Sequence, residues 1–127
     1  PKKPSQKTLA KLTFAEQLRM DGIPFEAEYI FAPRVDGKPL RRWRFDFAIR
    51  IKDIPQSRMR LIAVEIEGAL FSGGRHGGTP SVARDLEKRQ AAAALGWVTI
   101  PVTPQQAKNG KALQLVKVAL GLAEIDL

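Results

Sequence analysis

Apolar positions early in the chain recur at three- and four-residue intervals. In "SQKTLAKLTFAEQLRMDG" Leu9, Leu12 and Met20 share one helical stripe with Glu16, and Gly22 stands where a helix would stop. A glutamate on such a stripe is unusual for a side chain that only meets solvent. The period then shortens to two. "FEAEYIFA" alternates as a strand, and "PRVDGKPL" supplies the Asp-Gly pair of a hairpin turn. "RRWRFDFAIRI" returns as a second strand, with Trp43, Phe45, Phe47 and Ile49 expected on one face and Arg44, Asp46 and Ala48 on the other. After the turn "KDIPQSR", "MRLIAVEIEG" gives a third strand. Ile62, Val64 and Ile66 face one way, and Leu61, Ala63, Glu65 and Glu67 the other.

A glycine-rich loop follows, "GALFSGGRHGGTP", which is too long for a tight hairpin. "SVARDLEKRQAAAALG" then reads as a helix capped by Ser81 and stopped by Gly96, with Asp85, Lys88, Ala92 and Leu95 on one stripe. "WVTIPV" is a short apolar strand. In the last segment Thr103 caps a helix with Pro104 at its first position, and Asn109 and Gly110 interrupt it. The predicted order is helix, three strands, helix, strand, helix. That order specifies an α/β fold with a mixed four-stranded sheet, in which an antiparallel meander is followed by a crossover helix and a fourth strand. With 127 residues and no internal repeat, the chain is expected to form one domain over 1–127, with residues 1–6 as a flexible basic tail.

Composition narrows the chemistry. No apolar run approaches the roughly 20 residues of a membrane span, and "PKKPSQK" is not followed by a signal-peptide core, so a cytoplasmic protein is expected. There is no cysteine, so any metal must be held by oxygen ligands or by His76, the only histidine, and hard cations such as Mg²⁺ or Mn²⁺ suit that inventory. The formal charge of +8, from 21 Lys and Arg against 13 Asp and Glu, fits a nucleic-acid partner or simply a soluble basic surface.

The acids on the two central strands carry the most information. Adjacent strands lie about 4.8 Å apart, and residues two apart on one strand about 7 Å, so Asp46, Glu65 and Glu67 can reach one small volume. Carboxylates about 7 Å apart repel by roughly 2 kcal/mol at an effective dielectric near 20. A divalent cation would relieve that repulsion; the competing arrangement is a solvated face with Arg44 or Arg60 as partners. Lys88 and Asp85 face the sheet in this scheme, where Lys88 could stabilise charge developing on a phosphoryl group. The plainer alternative is a surface lysine paired with Glu87 or Asp85.

This succession resembles the PD-(D/E)XK nuclease superfamily: a helix bearing Glu16, "WRFDFAI" with Asp46, "IAVEIEG", a loop with "GGRH", "RDLEKRQAAAALGW" and "VTIPVT". It is similar in layout to small phage and bacterial endonuclease-like proteins and to the branch of very short patch repair and restriction endonucleases. The likeness runs from about Glu16 to Thr103, and the order of its short motifs is its specific feature. It implies a restriction-endonuclease-like core and a metal-dependent DNA endonuclease that uses Mg²⁺ or Mn²⁺. By the same likeness Asp46 is the first metal-binding acid, Glu65 the acid of the (D/E)-x-K element, the Ile66 carbonyl a further ligand, and Glu16 the acid of the first helix. Glu67 stands where that pattern has lysine, which makes Lys88 the candidate for the displaced catalytic cation. The expected partner is DNA, gripped by Arg41, Arg42, Arg44, Arg75, His76 and Arg84 with Lys2, Lys3 and Lys7, mostly through phosphates. A homodimer is left open. The alternative is a nuclease-fold DNA-binding module without activity, or a subunit of a larger DNA-processing complex.

Overall fold

The computed structural model describes residues 3–53, 58–68 and 80–124. Most of the glycine-rich loop, with Arg75 and His76, lies outside the described residues, as does Lys2.

Helix α1 spans Gln6–Met20, and the Ser5 hydroxyl caps it by accepting the Thr8 N–H at 3.0 Å. The helix therefore begins inside the stretch expected to be a tail. Its buried stripe is Ala10, Phe14, Ala15 and Leu18, while Leu12 is 62% and Met20 78% exposed. The stripe expected through Leu9, Leu12, Glu16 and Met20 is thus the outer face. The reason is steric fit: Ala10 and Ala15 let the helix approach the sheet, and Phe14 inserts edge-on against Phe47 at 5.0 Å.

Strand β1 (Glu26–Ile30) leads to β2 (Arg34–Val35) and β3 (Lys38–Pro39), a separate two-stranded hairpin. Its turn is the expected Asp36-Gly37 pair, both residues at positive φ (53° and 77°), the geometry that matches the twist of paired strands. The remaining elements are β4 (Arg44–Asp53), β5 (Arg58–Ile66), α2 (Pro80–Ala94), β6 (Val98–Val102), α3 (Pro104–Lys108) and α4 (Lys111–Ala119). The main sheet has the order β1-β4-β5-β6, antiparallel except for the parallel β5/β6 pair that α2 connects. A mixed α/β fold with a four-stranded mixed sheet is what the hydrophobic periods predicted.

Two apolar clusters flank the sheet. Phe47, Ile49, Ile62, Val64 and Ile66 pack with α1, α3 and α4 on one face. Phe45, Ala48 and Ala63 pack with Phe31, Ala92 and Trp97 on the α2 side. Phe45 and Phe47 therefore face opposite ways, and the expected single face of Trp43, Phe45, Phe47 and Ile49 is not formed. The alternation slips at Asp46, beside Glu28 of β1, whose φ of 52° departs from extended geometry. Period-two counting assumes a regular strand, and this strand is irregular at its one buried acid. On α2, Ala92 is buried as expected, but Leu95 lies beyond the sheet contact and is 41% exposed.

The last helical region breaks where expected. Asn109 ends α3, and Gly110 at φ 93° starts α4. Thr103 forms a reciprocal capping box with Gln106. Thr103→Ala is expected to cost about 1 kcal/mol, seen as a lower urea midpoint with an unchanged slope. Among the described residues no helix is long and apolar enough to cross a membrane.

Candidate functional site

The ladder between β4 and β5 runs regularly from Asp53↔Arg58 to Phe47↔Val64 and then stops. At the next step the strands are joined by carboxylates instead of backbone pairs. Asp46 Oδ2 accepts the Ile66 N–H at 2.7 Å, and Glu65 Oε1 accepts the Asp46 N–H at 3.3 Å. Each acid thus occupies the backbone donor of the opposite strand. A short bond from a buried N–H to a carboxylate contributes about 1.5–3 kcal/mol, which fixes Asp46 in place. Asp46 is the one charged residue buried among those described, at 7% exposure.

Lysines approach this pair from both faces of the sheet. From α1, Lys11 Nζ lies 3.3 Å from Asp46 Oδ1, and Lys7 Nζ 3.5 Å from Asp46 Oδ2. From α2, Lys88 Nζ donates to Glu65 Oε2 at 3.2 Å and lies 5.8 Å from the centre of the Phe45 ring. Of the partners considered for Glu65 and Lys88, the structure selects each for the other. Burial pushes the Glu65 carboxyl above its ordinary value of 4.5, and the Asp46 charge adds to this. Lys88 and the Asp46 N–H oppose the rise without cancelling it.

The shift has a definite consequence for stability. In the window just above pH 4.5 the folded state binds more protons at Glu65 than the unfolded chain does, so stability falls as pH rises there. Glu65→Gln removes that contribution. Paired urea titrations without divalent cations should show wild type losing stability relative to Glu65→Gln from pH 4.5 upward; parallel curves would contradict the buried-carboxyl account.

A cleft of about 410 Å³ opens beside Glu65, lined by Phe45, Glu67, Asp85, Lys88, Arg89 and Thr99 among others. Glu65, Glu67, Asp85 and Lys88 line it together, as the strand and helix patterns predict, whereas Asp46, expected on the same side, does not. Asp46 touches Glu65 from the α1 side. Glu16 does not join: it is exposed and pairs with Arg19 at 3.4 Å on the outer face of α1. Arg41, Arg42, Arg44 and Arg84 are exposed, and Arg41 stacks over Trp43 at 5.7 Å.

Three participants escaped the sequence reading in their site roles: Lys11, Glu28 and Arg89. Lys7 and Lys11 sit one helical turn apart and flank the true buried stripe of Ala10, Phe14 and Leu18, so a correct phase for α1 would have aimed both at the sheet. Glu28 carries no such signal. Its left-handed backbone, which costs on the order of 1 kcal/mol or more for a residue with a side chain, follows from the kink opposite Asp46.

The donor set suits a hard cation. Asp46, Glu65 and the Ile66 carbonyl offer only oxygen, and the lysines show that the pair attracts positive charge from either face. Among the described residues no three Asp, Glu or His side chains converge into a group that could hold a metal ion. Compared with known protein families, curated proteins and solved structures, the chain gives no match.

Proposed function

We propose that the protein is a metal-dependent endonuclease of the PD-(D/E)XK type that hydrolyses DNA phosphodiester bonds, with a restriction-endonuclease-like core. The observation that carries the reading is the Asp46, Glu65 and Lys88 constellation: two carboxylates cross-linked at the splayed ends of β4 and β5, with an ammonium 3.2 Å from one of them. Asp46, Glu65 and the Ile66 carbonyl would hold Mg²⁺ or Mn²⁺. The chemistry such a cation supplies is activation of water and neutralisation of phosphate charge.

The chain's own groups do the rest. Asp46 is positioned before substrate arrives, because its bond to Ile66 fixes it. Lys88 supplies a cation beside the phosphoryl oxygens where negative charge grows, inside a cleft partly shielded by Phe45 and Ala92. Glu67, which stands where the superfamily pattern has lysine, lines the same cleft. Arg41, Arg42, Arg44 and Arg84 are the exposed cations assigned to DNA phosphates, and they carry no base information.

A screen of plasmid, flapped, mismatched and branched DNA in Mg²⁺ or Mn²⁺ tests the proposal. Cleavage of at least one substrate that disappears in both Asp46→Ala and Glu65→Ala supports it; cleavage retained by both variants refutes it. One observation favours a second reading, a DNA-binding module without activity: Lys7 and Lys11 already neutralise Asp46. Calorimetry with Mn²⁺ separates the two, since the binding module predicts no metal uptake that depends on Glu65.

A further inference from the structure

The acid pair has one lysine contact from α2, but the α1 side is built more elaborately. Lys11 Nζ bridges two carboxylates, Glu28 Oε1 at 2.6 Å and Asp46 Oδ1 at 3.3 Å. Glu28 reaches it from β1, between the register pairs Ala27↔Phe47 and Tyr29↔Phe45, which places it opposite Asp46. At that step it adopts φ 52°, a conformation that residues with a side chain rarely take inside a strand. An ordinary surface ion pair needs no strained backbone to form. An ammonium has three N–H donors. Two are engaged here, and among the described residues nothing takes the third, although the side chain is 29% exposed.

We propose that Lys11, anchored by Glu28, is a phosphate-contacting residue of the site: it keeps both carboxylates and offers its third N–H to a backbone phosphate of the bound nucleic acid, on the sheet face opposite Lys88. This deepens the nuclease reading and rests on it for the identity of the anion. A phosphodiester at Asp46 and Glu65 then lies between two ammonium groups, one from each helix. Glu28 is a positioning residue, since it acts through Lys11.

The experiment is equilibrium binding of fluorescein-labelled duplex and branched DNA in EDTA, followed between about 50 and 200 mM salt. Loss of one phosphate contact lowers the slope of log K against log salt by about 0.9, which near 0.1 M salt is about eightfold in affinity. Lys11→Ala should show that change, and Lys11→Arg should restore the wild-type slope. Lys117→Ala, at a lysine paired with Asp21 on α4, should leave the slope unaltered. Glu28→Gln, which leaves Lys11 held only by Asp46, should lower the slope in the same direction as Lys11→Ala but by less, with an unchanged urea midpoint showing that the protein is still folded. An unchanged slope in folded Lys11→Ala overturns the inference and leaves the nuclease reading standing. Failure of the wild-type protein to bind any DNA overturns the inference, and the nuclease reading falls with it only if cleavage in Mg²⁺ or Mn²⁺ is absent as well.

Discussion

If the protein is the metal-dependent nuclease proposed above, Asp46→Asn is expected to lower DNA cleavage about a thousandfold while leaving the protein folded. Asparagine has nearly the shape of aspartate, and its amide oxygen can still accept the Ile66 N–H, so the cross-link between β4 and β5 survives. What disappears is the charge. The second oxygen becomes an NH₂ group that faces Lys11 as donor against donor, and Lys11 retains only Glu28. A carboxylate that helps hold a catalytic cation supports several kcal/mol of transition-state stabilisation, and each 1.36 kcal/mol is a factor of ten in rate, so about three decades are at stake. Plasmid nicking in Mg²⁺ gives the rate, and a urea midpoint checks the fold. A folded Asp46→Asn protein that cuts within tenfold of wild type would remove Asp46 from the chemistry. Asp46→Ala is the harsher variant, because it also strands a buried N–H, at a cost of about 1–3 kcal/mol.

The parts of this arrangement that sequence made legible are those governed by regular periods. β5 is a regular strand, so alternation put Leu61, Ala63, Glu65 and Glu67 on one side, where the last two meet the cleft. Asp36-Gly37, Gly96 and Gly110 marked their turns because few other residues accept positive φ. Lys88 was aimed correctly because Ala92, one turn later, is small enough to seat α2 on the sheet.

Period counting misled where it met irregularity or a choice between stripes. Asp46 lies at the slip in β4, so its face could not be counted from Phe45 or Phe47, which themselves diverge. In α1 two apolar stripes compete, and tertiary fit at Phe14 decides between them. That choice moved Glu16 outward to Arg19 and turned Lys7 and Lys11 inward. Glu28 was hidden for a different reason. Nothing in "FEAEYIFA" signals a left-handed residue, because the kink exists only in the pairing with β4.

On the proposed nuclease reading a lysine is expected where Glu67 stands, and replacement of Lys88 tests whether α2 supplies that cation instead. Lys88→Ala is expected to reduce cleavage about 10²–10³-fold, the range found when one preorganised charge-stabilising donor is removed. The ammonium is held by Glu65 and the Phe45 ring and its side chain is 24% exposed, so it faces less screening than a surface lysine. Glu67 stands two residues from Glu65 on the same side of β5, about 7 Å along the strand, and lines the same cleft. A lysine there would enter the cleft from the sheet instead of from α2. The double variant Lys88→Ala/Glu67→Lys should therefore recover at least about tenfold of the lost rate. Glu67→Gln in the Lys88→Ala background controls for simple removal of a negative charge and should recover less. Equal recovery by glutamine and lysine would mean that position 67 acts only through its charge, and full activity in Lys88→Ala would mean that α2 supplies no catalytic cation. Recovery specific to lysine would establish that one role can be filled from either element, because what the phosphoryl oxygens require is a positive charge beside Glu65, whichever backbone carries it.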